Sequence, residues 1–326
     1  MRNFRMLALG ASLLVLLGAC GMGGGGGSPA ATGPAGARPQ LRIGSAGFPE
    51  SALMAEIYAQ VLEANGFPVT RQLNIGPRTQ TLPLLTGGQI DFMPEYTGSL
   101  LEFINEGAGE ATADPQATYD KLQERLDGQG LTALGYTPAI DNNAFVVRPE
   151  TAQEHGLSKM SDLAAVQQEL TWGLPPECET NPLCGGALSD DYGIDFDQIT
   201  VVELGACSGA MATALSTTGE GAIDIGELCS TQGDIGRFGL IVLQDDKASQ
   251  PAENITPVAR DAWLDQAGGA QGVAAILDPV SAQMTTEDLI ELNQRVGIDQ
   301  EDFEVVARDW LTEKGLLPGA LPASSP

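Results

Sequence analysis

Short apolar runs alternate with helix-period segments along most of this chain, and that alternation restricts it to an α/β architecture. Residues 41–45 read as a strand, 51–65 as a helix, 69–73 as a strand and 79–85 as a helix. Pro83 must fall in the first turn of that helix or kink it. The handover at residues 88–99 is the most informative. Residues 90–93 form an apolar run of strand type, and Pro94 is expected to end it because proline cannot donate to a ladder. Thr97-Gly98-Ser99 then supplies a turn and an N-cap, and Leu100, Leu101 and Ile104 recur at helical spacing. Tyr96 therefore sits where a strand passes to a helix. Ligands of α/β sheets collect at such places; a packing tyrosine at a strand end is the competing reading.

The pattern continues. A helix is expected over 118–129 and strands over 145–147, 171–173, 199–202 and 222–225, with a helix at 211–215. Strands at 241–243 and 256–259 precede a closing helical region. About 280 residues of this kind suggest two lobes.

The first residues are of another kind. Arg2 and Arg5 precede an apolar stretch at 6–17, too short to span a membrane in a mature protein. Leu17-Gly18-Ala19-Cys20 reads as a lipobox, with Cys20 as the lipid attachment point and 1–20 as a lipoprotein signal peptide. Several acyl chains on one cysteine give stable anchoring where one does not. Residues 21–40, rich in Gly, Ala, Pro and Ser, are expected to be a flexible tether. The chain carries 43 acidic against 16 basic residues, a net charge of −27. That argues against a nucleic-acid partner, which requires basic stripes.

Four cysteines follow Cys20, an even number in an exported chain: Cys178, Cys184, Cys207 and Cys229. Three pairings are possible. Pro182 and Gly185-Gly186 suit a tight loop closed by Cys178–Cys184, which leaves Cys207–Cys229. Their spacing is not that of a zinc site, and the single histidine, His155, reads as an exposed helix C-terminal residue. No metal and no cofactor are expected. No catalytic signature of the G-x-S-x-G, Walker or H-E-x-x-H kind occurs, so an enzyme is not expected. Asp245-Asp246 reads as a solvated turn rather than an acid pair.

Ile90-Asp91-x-x-Pro94-Glu95-Tyr96-Thr97-Gly98 resembles a segment of the substrate-binding proteins of osmoprotectant ABC transporters, the glycine betaine, choline and carnitine binders. Ile43-Gly44-Ser45 with Phe48 and Glu50, and Tyr58 to Gly66, resemble that family's opening. Ser230-Thr231-x-Gly233-x-Ile235, Leu243-x-Asp245-Asp246-Lys247, Glu291-Leu292-Asn293 and Val306-Ala307-Arg308 extend the likeness to about residue 317. The resemblance implies a two-lobe type II periplasmic-binding-protein fold with a ligand cleft between the lobes. Residues 41–140 and 251–318 would form lobe 1 and residues 141–250 lobe 2. It also implies an extracytoplasmic solute receptor whose ABC permease and ATPase partners are separate chains. A sensing or interaction lipoprotein on the same fold is the alternative; an enzyme on this scaffold would need a nucleophile and base that are not found.

In that family a cage of tyrosines faces the quaternary ammonium, whose charge is attracted to ring faces. The family pattern assigns the first cage position to Tyr96. The other three fall on Asn143, Cys229 and Glu253, so three of four rings are absent. With Ser51, Ser99 and Ser230, these residues would make a hydrogen-bonding ligand site. Such a site suits a small polar or zwitterionic solute, or a primary amine, better than a bare trimethylammonium.

Overall fold

The computed structural model describes residues 38–219 and 221–317. The expected leader, Cys20 and most of the expected tether lie outside the described residues. The last three tether positions are not free: Arg38 stacks over the Phe67 ring at 4.6 Å and donates to the Ala267 carbonyl. Trp263 Nε1 donates to the Gln40 carbonyl at 3.1 Å. A cation–π contact and two hydrogen bonds thus hold residues that composition alone assigns to a linker.

The chain opens with β1 (Leu41–Gly44), α1 (Pro49–Ala64), β2 (Val69–Gln72), α2 (Arg78–Thr86), β3 (Phe92–Tyr96), α3 (Thr97–Ile104), α4 (Pro115–Leu126) and β4 (Leu131–Ala133). It continues with β5 (Asn143–Val147), α5 (Pro149–His155), β6 (Thr171–Leu174), β7 (Thr200–Glu203), α6 (Gly209–Ser216), β8 (Ile225–Cys229), α7 (Gly233–Phe238) and β9 (Ile241–Val242). It closes with β10 (Ile255–Arg260), α8 (Asp261–Ala267), α9 (Ala270–Ser281), α10 (Thr286–Asn293) and α11 (Phe303–Glu313).

Two five-stranded sheets result. The first has the order β2-β1-β3-β10-β4 and the second β7-β6-β8-β5-β9. Each sheet with the helices packed on it is called a lobe below. Each contains parallel pairs and a fourth strand running against its neighbours: β10 in the first sheet, β5 in the second. Each of these reversed strands follows a crossing from the other lobe. The crossings, near residues 140 and 254, lie side by side: Ile140 bridges Asn254, and the Asp141 N–H donates to the Glu253 carbonyl at 3.0 Å.

The first core is built around α1, which is buried on almost every side from Glu50 to Leu62. Its internal Glu56 is answered by Arg71 and Gln60. Asp91, just ahead of β3 and 2% exposed, accepts from Arg42 and from Arg260. One buried carboxylate therefore ties β1 to the end of β10. In α10, Leu289 and Leu292 belong to the first core, while Ile290 packs against the second. A glycine makes the second contact possible: a Cβ on Gly233 of α7 would lie 2.4 Å from the Gln294 nitrogen.

Several boundaries differ from expectation. Pro94 does not end its strand; β3 runs on to Tyr96. The reason is register: Pro94 faces Pro257 across the antiparallel pair, so neither missing N–H is needed there. The expected turn at Thr97-Gly98-Ser99 is absent, and α3 starts at Thr97 with Tyr96 as its N-cap. Pro83 is the sixth residue of α2. The strand expected at 222–225 begins only at Ile225, since Asp224 is drawn away to accept from Arg148 and the Thr171 N–H. His155 is half-buried beside Glu169 rather than exposed. Asp245 is an anchor as well as a turn residue: it accepts the N–H groups of Ser249 and Gln250 and so fixes the start of the second crossing.

Cys178 is bonded to Cys184 and Cys207 to Cys229. The buried Glu227 lies against Cys184, and burial followed by the charge of Glu177 pushes its carboxyl up to about 7. Among the described residues no helix is long and apolar enough to cross a membrane.

Candidate functional site

A cavity of about 280 Å3 lies between the two lobes, where both crossings pass. On the first-lobe side Phe48, Arg78, Tyr96 and Ser99 form its wall. Asn143, Cys229 and Leu183 face them from the second lobe. Asp141 and Glu253 enter from the crossings. A second space of about 420 Å3 shares Phe48, Arg78 and Tyr96 and extends toward Gly47 and Gly76. A larger cavity of about 710 Å3 sits on the second lobe around Arg148 and His155 and shares no residue with the cleft.

Five residues named from the sequence meet in this cleft: Tyr96, Ser99, Asn143, Cys229 and Glu253. Ser51 and Ser230 do not line it. Ser51 is fully buried and accepts the Ala46 N–H at 2.9 Å. Ser230 donates to the Ile140 carbonyl at 2.8 Å and accepts the Asn142 N–H at 3.0 Å, so it fastens the first crossing. Phe48, Arg78, Asp141, Asn142 and Leu183 were missed. Phe48 stands in the opening motif two residues before Glu50, and that position was the available signal. Asp141 and Asn142 stand beside Asn143, but only the crossing geometry turns that neighbourhood inward. Leu183 gives no signal; it is on the wall because its neighbour Cys184 is tied back to Cys178.

Tyr96 is held from behind. Its hydroxyl donates to Glu50 Oε1 at 2.6 Å, and Asn293 Nδ2 donates to Glu50 Oε2 at 2.6 Å. Burial, then the charges of Glu50 and Asp141, push the phenol well above its usual range, so Tyr96 stays a neutral donor. The Phe48 ring lies with its centroid 5.8 Å from that of Tyr96, and it is 39% exposed. Two aromatic faces therefore line one side.

Glu253 lies over the first turn of α3. The close approach explains Gly98: a Cβ there would come within 2.8 Å of the Ala252 carbonyl oxygen and 3.1 Å of Glu253 Oε1. Glu253 Oε2 is buried without a hydrogen-bond partner. Burial pushes the carboxyl up to about 7, against the pull of Ser99 and of the Arg78 charge. Arg78 is already engaged: it holds Glu95 at 2.7 Å and donates to both the hydroxyl and the carbonyl of Ser99. Asp141 accepts from the Thr231 hydroxyl at 2.8 Å, yet burial and the charge of Glu50 push its carboxyl well up. The cleft thus offers two under-neutralised carboxyls, two ring faces and side-chain amides, a set suited to holding a small cationic group.

The family model for the substrate binding domain of the ABC-type glycine betaine transport system matches residues 39–313. The glycine-betaine-binding protein of Pseudomonas aeruginosa is 32% identical over 286 residues, covering 85% of this chain and 88% of that protein. The glycine betaine-binding protein YehZ of Escherichia coli is 28% identical over 287 residues, covering 86% and 93%. The carnitine transport binding protein OpuCC of Listeria monocytogenes is 25% identical, covering 97% of each. Among solved structures, apo YehZ from Escherichia coli superposes with a TM-score of 0.74 at 26% identity, over 85% of this chain and 99% of that one. A glycine betaine/carnitine/choline ABC transporter structure gives 0.76 at 22% identity, over 85% and 100%, a likeness of fold.

Proposed function

This chain belongs to the family of substrate-binding domains of ABC-type glycine betaine transport systems, and from that premise we propose which solute it takes and how it holds it. As a member it is an extracytoplasmic solute-binding receptor of an ABC importer, with the two-lobed type II fold, and not an enzyme. The solute lodges between the Tyr96–Phe48 wall and the Asn143–Cys229 wall. The two lobes, residues 41–140 with 251–318 and residues 141–250, close on it by bending at the two crossings.

The solute carries a hydrogen-bonding ammonium group. One observation supports this above the rest: Glu253 Oε2 is buried in the cleft region with no partner. A buried carboxylate is costly until a donor or cation answers it. A trimethylammonium group has no N–H to give and finds two rings rather than four. Glycine betaine, which relatives of this chain are named for binding, is therefore expected to bind more weakly than a small amine, and so is choline. Isothermal titration against betaine, choline, carnitine, ethanolamine and a panel of amino acids measures this. Glu253→Gln is expected to weaken amine binding at least tenfold, since a hydrogen bond to a charged group contributes about 1.5–3 kcal/mol. Micromolar betaine binding untouched by Glu253→Gln sinks the reading.

The permease and ATPase are separate chains that receive the closed form. Cys20, if lipidated, anchors the receptor to the outer face of the membrane through the 21–37 segment. Cys20→Ala is then expected to move the protein from the membrane fraction to the soluble one. A variant that stays with the membrane shows that the anchor is elsewhere.

A further inference from the structure

The two crossings do more than join the lobes. Each delivers one carboxyl to the same cavity, Asp141 from the first and Glu253 from the second. Their backbones are in direct contact through the Asp141 N–H and the Glu253 carbonyl, 3.0 Å apart. We propose that Asp141 and Glu253 form a proton-holding pair that a solute of net positive charge displaces, so that the cleft exchanges protons for its ligand and discriminates against zwitterions. This rests on the cleft being the solute site.

The charges around the pair support it. From α1, Glu50 faces Asp141, with both oxygens taken by Tyr96 and Asn293. From β3, Tyr96 lines the cleft and the charge of Glu95, which lines the adjoining space, acts on Glu253; from α2 comes Arg78. Among the described residues Arg78 is the only cation on the cavity wall, and Glu95 with Ser99 occupies it. Thr231 offers Asp141 one neutral donor. Asp141 and Glu253 thus share one cavity whose arginine is already engaged, and burial works against the ionised form of each. The raised positions of Asp141 and Glu253 fit protons held by this pair. A bound cation favours the ionised forms, and the protons leave to the solvent. The carboxylate of a zwitterion, by contrast, would enter a negative cavity whose arginine is already engaged.

The direction follows from linkage. Raised carboxyls of the empty cleft fall when the cation binds, so binding releases protons and tightens as pH rises. Below about pH 7, the level for Glu253 in the empty cleft, affinity should drop about tenfold per pH unit for each proton displaced.

Choline is the probe, because its charge does not titrate and every released proton must come from the protein. The whole mature protein is titrated with choline and with glycine betaine at about pH 6 and about pH 8. At about pH 7 the heats are compared in phosphate and in HEPES, whose ionisation enthalpies differ. The expected result is choline binding at least about tenfold tighter at the higher pH, release of at least about half a proton at about pH 7, and choline ahead of betaine. Glu253→Gln and Asp141→Asn should each reduce the proton release. Carboxyl carbon shifts of the unliganded wild type, followed by NMR through the same range, read the pair without relying on any variant's folding. A pH-independent affinity with no buffer-dependent heat overturns the exchange while leaving the cleft as the solute site. Betaine binding at least as tightly as choline overturns the charge selection. Absence of binding by both solutes while ethanolamine binds overturns the exchange and leaves the solute reading; absence of binding by all three overturns both.

Discussion

Replacing Asp91 by alanine is expected to lower the unfolding free energy by about 3–5 kcal/mol, the range for removing one partner of a buried ion pair. The carboxylate is 2% exposed and accepts from Arg42 Nε and Nη2 at 2.7 Å, from the Arg42 N–H at 3.1 Å and from Arg260 Nη2 at 2.6 Å. Without it, two guanidinium groups lose their partner, and the end of β10 loses its tie to β1. Burial alone would raise the Asp91 carboxyl, but the hydrogen bonds from Arg42 and Arg260 overcome this and hold it below its usual range. A depressed carboxyl stabilises above its unfolded value, about 4, and that contribution is lost as pH falls through the lower folded value. Denaturant melts of wild type and Asp91→Asn should therefore differ by a constant amount above about pH 5 and converge in stronger acid. Equal midpoints near neutrality would show that the strand is held by packing alone.

Gly233→Ala is expected to be nearly as damaging, and to damage binding as well. The added Cβ would lie 2.4 Å from the Gln294 nitrogen, 2.6 Å from its Cα and 2.9 Å from the Asn293 carbonyl carbon. All three are backbone atoms, so no side-chain rotation relieves the clash. Overpacking of this kind costs about 3 kcal/mol at the upper end of its usual range. The functional consequence runs through Asn293, which donates to Glu50 and to the Thr231 carbonyl. Glu50 in turn holds the Tyr96 hydroxyl. Moving residue 293 should loosen that ring and reduce solute affinity at least tenfold. Gly236→Ala in the same helix is the control, because its nearest neighbour is a side-chain methyl of Ile290 at 3.1 Å. Similar melting temperatures and affinities for the two variants would contradict the argument.

The α/β class and the place of Tyr96 were readable because periodicity and turn chemistry are local properties. Pro94 misled for the converse reason: whether a proline ends a strand depends on what faces it, and Pro257 is far away in sequence. Serines were over-read. Ser51 and Ser230 carry the right functional group, but nearby backbone groups use it first. Asp141 and Phe48 were under-read, since neither is unusual in its own neighbourhood; the cleft exists only once the crossings lie together. That Asn143, Cys229 and Glu253 are not aromatic, at positions where the resemblance leads one to expect rings, is legible in the sequence. What stands in their place, a charge arrangement with Arg78 already engaged by Glu95, required coordinates.

The position of β10 has a consequence for the order of events during biogenesis. It lies between β3 and β4, and β4 has no other neighbour in its sheet. Until Ile255–Arg260 emerges, β3 therefore presents an open edge and β4 has no partner, although both were synthesised before the whole second lobe. Exposed edges of this kind recruit other chains. A chain threaded outward from its amino end must keep that half-finished sheet waiting, so its slow folding step is expected to be the return of a single late strand rather than the assembly of either lobe.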